Sequence, residues 1–211
     1  MLRLGKMLLH WSPRSPFVRK VMVAAHELGL VDRLTLRRTV ALMTAPNPDL
    51  LPDNPLSKIP TLVLDDGTVL IDSGVICEYF DTLAGGGLII PAAVPERFRE
   101  LSRHALASGL LDVLILWRNE RNKPPEAQTA AWLTGFETKY RAALARLERE
   151  AGPIAPGPLG LSGIALGCCL SYLDFRFADL DWRAGCPALA AWHEEFRQRP
   201  SAIATEIVDD V

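Results

Sequence analysis

The chain has 211 residues, 23 of them Lys or Arg and 25 Asp or Glu, for a formal net charge of −2. With 49% hydrophobic and 23% charged residues it has the balance of a soluble globular protein, which excludes a disordered or fibrous chain. The near-neutral charge excludes a whole-surface attraction to nucleic acid or an anionic membrane. The length suits one large domain or two small ones. Cys77, Cys168, Cys169 and Cys186 form no C-x-x-C pair and lie in apolar surroundings, which fits buried, reduced thiols in the cytoplasm. No apolar run approaches the ~18 residues of a membrane-spanning helix, and residues 1–6 are too short and basic for a signal peptide.

In chain order, Met7–Trp11 reads as a buried first strand. Pro16 opens a helix, since proline suits the first helical position, and Val18, Val21, Met22, Ala25 and Leu28 recur along one face up to Gly29. A second strand follows at 34–39, then a Pro/Asn-rich stretch, 45–55, with room for an irregular or short helix. Runs at 61–64 and 68–71 flank Asp65-Asp66-Gly67, a hairpin signal that makes them antiparallel. The next helix begins at Ser73, placed as N-cap with Asp72 just before it. The order is β-α-β-α-β-β-α over residues 1–84. Gly85-Gly86-Gly87, with Pro91 and Pro95, marks a linker over 85–94. Residues 95–211 then read as all-helical: Glu96–Arg121 and 126–150 are amphipathic, 164–172 is apolar nearly all round and belongs at the centre of a bundle, and Pro187–Arg197 closes the pattern.

Three segments carry candidate chemistry. In Ser12-Pro13-Arg14-Ser15-Pro16-Phe17-Val18-Arg19-Lys20 a serine lies between the first strand and the first helix, where backbone N–H groups and the helix dipole favour an anion; an ordinary N-cap reads the same way. In Asn54-Pro55-Leu56-Ser57-Lys58-Ile59-Pro60-Thr61, Pro60 is confined to the start of a strand. A cis Ile59–Pro60 bond would turn the Ile59 backbone outward toward a peptide-like ligand, whereas a trans bond is the commoner state. Asp72-Ser73 at a helix start can receive an ammonium and a carboxylate, or can simply cap the helix.

Together, in this order and on this scaffold, the segments resemble the glutathione S-transferase family over nearly the whole chain, with Ser15-Pro16-Phe17-Val18-Arg19 similar to the Ser-Pro-Phe segment of serine-type members. Tyr172-Leu173-Asp174-Phe175-Arg176 is similar to bacterial members. The resemblance implies a thioredoxin-like N-terminal domain followed by an all-helical C-terminal domain. It implies glutathione as co-substrate, with Ser15, or Ser12 as second candidate, donating to its sulfur. Lys58 would reach its glycine carboxylate, Ile59 its cysteinyl backbone, and Asp72 with Ser73 its γ-glutamyl group, Pro60 shaping the loop. A cytoplasmic homodimer conjugating small hydrophobic electrophiles, in a detoxifying role, is the expected activity. A non-catalytic interaction protein and a peroxidase or isomerase on the same site are the alternatives.

Trp11, Trp117, Arg118 and Arg121 are candidates for the electrophile side, although Trp117 on an apolar helix face also reads as core. The four histidines are scattered and show no ligand spacing, so no metal is expected. The chain departs from the family at Gly160 and Gly163, where members carry a Ser/Thr-x-x-Asp capping box; such a loss costs about 0.5–2 kcal/mol at the helix start.

Overall fold

The computed structural model describes residues 5–154 and 156–210. Strands β1 (Met7–Trp11), β2 (Leu34–Arg38), β3 (Thr61–Val63) and β4 (Val69–Leu70) form a mixed sheet in the order β2-β1-β3-β4. β1 is parallel to β2 and antiparallel to β3, so Leu9 stands between Leu36 and Leu62. A parallel pair needs a crossover, which α1 (Pro16–Glu27) supplies. β3 and β4 form the expected antiparallel hairpin, with Asp66 accepting the Thr68 N–H at 2.8 Å. β2 is the exposed edge and carries Arg37 and Arg38, charges that discourage pairing with another chain.

Residues 45–55 form successive turns without a regular helix. The Asn47 carbonyl accepts from Leu50 and Leu51, and the Leu50 carbonyl from Asp53 and Asn54. Pro48 and Pro52 each lack the N–H that a continuous helix would use. The segment is nevertheless anchored, because His10 on β1 bonds Thr39 at 3.0 Å and Asp53 at 2.8 Å.

Helix α2 (Ser73–Leu83) packs beside α1. Near its end the buried carboxylate of Asp81 accepts N–H groups from Gly87, Leu88 and Ile89 at 2.9, 2.9 and 2.8 Å. The reversal that presents them runs through Gly85, Gly86 and Gly87 at φ +114°, +78° and +78°, a left-handed run that side chains with a Cβ would resist. Thus the glycine triplet is a fixed corner on which the chain leaves the sheet.

The helical part comprises α3 (Glu96–Arg121), α4 (Ala130–Glu150), α5 (Leu161–Arg176), α6 (Pro187–Arg197) and α7 (Pro200–Ala204). As its apolar composition requires, α5 is central: Ile164, Ala165, Cys168, Cys169, Leu170 and Leu173 are fully buried, and it packs on α3 and α1. No single helix among the described residues is long and apolar enough to cross a membrane. α4 begins later than the sequence pattern suggests. A short 3-10 turn at Pro125–Ala127 comes first, and Glu120 accepts the Thr129 N–H at 2.7 Å.

The missing capping box has a substitute. Glu100 of α3 accepts the Ser162 N–H at 2.6 Å and the Ser162 hydroxyl at 2.9 Å, at the start of α5. A Cβ at Gly160 would lie 2.7 Å from that carboxylate, so the glycine makes the cross-helix cap possible. The short α7, not foreseen, is held by Glu27 at the end of α1. This carboxylate binds Arg199 at 2.6 and 2.9 Å, Ser201 at 2.5 Å and the Leu159 N–H at 3.1 Å.

Candidate functional site

The loop from β1 into α1 brings Ser12 and Ser15 into one turn, with the Ser15 N–H donating to the Ser12 carbonyl at 3.3 Å. Ser15 is the N-cap of α1: its Oγ accepts the Val18 N–H at 3.3 Å. Among the described residues its own O–H has no acceptor, and the residue is half-buried. Ser12 is 7% exposed and its Oγ accepts the Arg14 N–H at 3.4 Å.

The Ile59–Pro60 bond is cis. Asn54 fixes the loop before it: its Nδ2 donates to the Lys58 carbonyl at 3.0 Å and to Thr61 Oγ1 at 2.9 Å, and its Oδ1 accepts the Leu56 N–H at 3.0 Å. Thr61 Oγ1 also donates to the Lys58 carbonyl at 2.8 Å. Lys58's carbonyl is therefore used internally, while the N–H and C=O of Ile59 have no partner among the described residues. Pro60 is buried beneath them and the Lys58 side chain is exposed. Its ammonium is near enough to Asp112 on α3 to oppose the upward push that burial gives that carboxyl.

At the start of α2 the structure corrects one assignment. Asp72, not Ser73, is the N-cap, accepting the N–H groups of Gly74 at 2.8 Å and Val75 at 3.4 Å. Asp and Ser cap helices about equally well; the extended backbone at Asp72, φ −98° and ψ −161°, leaves that residue outside the helix as its cap. Ser73 moves into the first helical turn, 2% exposed, with a hydroxyl that has no hydrogen-bond partner among the described residues.

Behind this pair is a group that the sequence does not announce. Lys20 of α1, 1% exposed, donates to His104 Nε2 and Ser108 Oγ on α3, both at 3.0 Å. The His104 ring lies against Gly74, where an added Cβ would be 3.3 Å from Cε1. Burial and the Lys20 ammonium push the His104 pKa down to about 4, so the ring is neutral and its Nε2 accepts a hydrogen bond from the lysine. α1, α2 and α3 are thereby joined just under Asp72 and Ser73. Asn54 and Lys20 lie in turn- and helix-forming segments, and nothing in their local pattern reveals their reach across the fold.

On the electrophile side the candidates separate. Trp117 is 5% exposed, its ring 5.6 Å from Tyr140 and 5.3 Å from Phe177, which places it in the core. Trp11 is half-buried and packs on that core. Arg121 pairs with Asp179 at 2.6 Å. Arg118 is half-buried and close to the Tyr172 hydroxyl and to Arg176. All four cysteines are free and buried; burial pushes Cys77 up to about 12 and Cys168 up to about 11, so these stay protonated thiols and are poor nucleophiles. Among the described residues no group of three or more His, Cys, Asp or Glu gathers as a metal site.

The chain is similar to known proteins along most of its length. The glutathione S-transferase N-terminal domain matches residues 14–83 and the glutathione S-transferase C-terminal domain residues 130–195. A crystal structure of a glutathione transferase family member from Pseudomonas fluorescens Pf-5 with bound glutathione is 43% identical, with a TM-score of 0.90 over 96% of this chain and 100% of that one. A structure from the same organism with bound S-(propanoic acid)-glutathione is also 43% identical, at TM-score 0.87 with the same coverage. The Escherichia coli K12 protein YibF, described as an uncharacterized GST-like protein, is 29% identical over 91% of this chain and 94% of its own.

Proposed function

The chain belongs to the glutathione S-transferase family, and from that footing we propose that it binds glutathione and uses Ser15 to hold the thiolate for attack on small hydrophobic electrophiles. The observation that carries this reading is the Ser15 hydroxyl at the open N-terminus of α1, its oxygen engaged by the Val18 N–H and its proton free to donate outward. A free thiol has a pKa near 8.5, and a hydrogen bond together with a helix N-terminus lowers it toward neutrality. The thiol proton passes to solvent, and the sulfur lone pair then forms the new C–S bond as the leaving group departs.

The remaining roles follow the ligand's length. Ile59's unpaired N–H and C=O suit the cysteinyl backbone of glutathione, Asp72 and Ser73 its γ-glutamyl ammonium and carboxylate, and Lys58 its glycine carboxylate. Ser12, more buried, is the second candidate for the sulfur. Trp11 and Arg118 are proposed to flank the electrophile, with Trp117 supporting them from the core. The solved relative holding S-(propanoic acid)-glutathione, a thioether of the kind conjugation yields, supports conjugation over the peroxidase and isomerase alternatives.

A homodimer fits the surface: Met43 and Leu56 on the long connection, Val75 on α2 and Phe98 on α3 are exposed apolar residues, the kind of surface that marks an interface when contiguous. We place the protein in the cytoplasm, in keeping with four free cysteines. Calorimetry with glutathione, followed by turnover of an activated aryl halide, tests the reading. Binding with turnover supports it, and no binding at millimolar glutathione removes it in favour of an interaction protein.

A further inference from the structure

Three arginines from three parts of the chain gather beside the Ser12–Ser15 loop, and one tail carboxylate serves two of them. Asp209, beyond α7, is ion-paired with Arg14 Nε at 2.7 Å and accepts from Arg176 Nη2 at 3.3 Å. Arg118 of α3 is close enough to Arg176, at the end of α5, to lower its pKa, and it approaches the Tyr172 hydroxyl. Arg176 Nε is buried with no partner. The next tail residue, Asp210, is bound by Arg38 of β2 at 2.6 Å. Three guanidiniums against the Asp209 carboxylate leave the cluster with positive charge in excess.

We infer that this cluster recognises a carboxylate on the electrophile, and that Asp209 occupies the place in the unliganded protein. The inference rests on the glutathione-transferase reading and names the substrate class of that same site. Arg14 is the residue immediately before Ser15, and consecutive Cα atoms are ~3.8 Å apart, so one guanidinium of the cluster is anchored on the same turn as the hydroxyl proposed to hold the sulfur. The planar guanidinium fork matches a carboxylate in geometry and charge.

Asp209 is suited to being displaced. Its side chain is 45% exposed, and pairs of such exposure hold weakly. A carboxylate delivered on glutathione competes from a high local concentration, since its carrier is already bound next to it.

The test compares two glutathione thioethers that differ at the chain end, S-propylglutathione and S-(2-carboxyethyl)glutathione, by calorimetry on the intact protein, with glutathione itself as reference. The expected result is tighter binding of the carboxyethyl compound by about fivefold, as for a partly exposed ion pair. That preference grows in Asp209→Asn, where the competing carboxylate is gone, and disappears in Arg176→Gln. Glutathione binding with equal affinities for the two thioethers, in both the unaltered protein and Asp209→Asn, overturns this inference alone and leaves the tail as a structural latch. Failure of glutathione to bind overturns the transferase reading and this inference with it.

Discussion

Lys20 Nζ donates to His104 Nε2 across 3.0 Å, joining the first helix of the sheet-bearing domain to the first long helix of the second. Burial lowers the pKa of both groups, which suits a hydrogen bond to a neutral imidazole. With its pKa near 4 in the fold and about 6.5 in the unfolded chain, His104 takes up its proton on unfolding anywhere between those values. The unfolded state therefore binds more protons in that window, and stability falls as pH drops from about 6.5 toward 4. His193, buried beside Arg183, is shifted in the same direction. The loss is up to about 1.4 kcal/mol per pH unit for each histidine in its window. Thermal unfolding followed from pH 7 to pH 4.5 should show a falling midpoint, with a shallower slope in His104→Gln, whose amide can still accept from Lys20.

Asp72 has two duties that one substitution separates. Asn is as good an N-cap as Asp, so Asp72→Asn should leave stability within about 0.5 kcal/mol while removing the charge proposed to meet the glutathione ammonium. Asp72→Ala loses both, at about 1 kcal/mol of helix-start stability. Calorimetry should find glutathione affinity reduced in both variants, and denaturation should find only Asp72→Ala destabilised.

Glu100 is predicted to carry the start of α5. Glu100→Ala removes the acceptor of the Ser162 N–H and hydroxyl and should cost about 1–2 kcal/mol. Gly160→Ala pushes a methyl group into the same carboxylate and should be destabilising, with much less effect in the Glu100→Ala background. A double-mutant cycle by urea denaturation measures that coupling.

Much of this architecture was legible in local pattern. Pro16 and Pro187 open helices where the missing N–H costs nothing, the 96–121 stripe ends at the expected arginine, and Asp65-Asp66-Gly67 forms the hairpin. Local pattern also singles out Ser15, Ile59-Pro60 and Asp72-Ser73 as candidates, because each lies at an element boundary where backbone groups are unsatisfied. It misassigned the cap between adjacent Asp72 and Ser73, since both residue types cap helices and only the backbone decides which stands outside. It could not reveal Glu100 capping Ser162 or Lys20 meeting His104, bonds that span 62 and 84 residues of chain and exist only after α3 packs against its neighbours. The Gly160 departure that looked like a lost cap is the space into which the replacement fits.

Whether the Ser15 hydroxyl stabilises the glutathione thiolate is decided by the turnover of 1-chloro-2,4-dinitrobenzene in Ser15→Ala and Ser12→Ala. Removing a hydrogen-bond donor to a developing or resident anion costs about 100-fold or more in rate, against about 1 kcal/mol of stability from the lost Val18 cap. Ser15→Ala should stay folded and lose about two orders of magnitude in kcat/KM, while Ser12→Ala keeps most of its activity. Full activity in folded Ser15→Ala, or loss confined to Ser12→Ala, would contradict it.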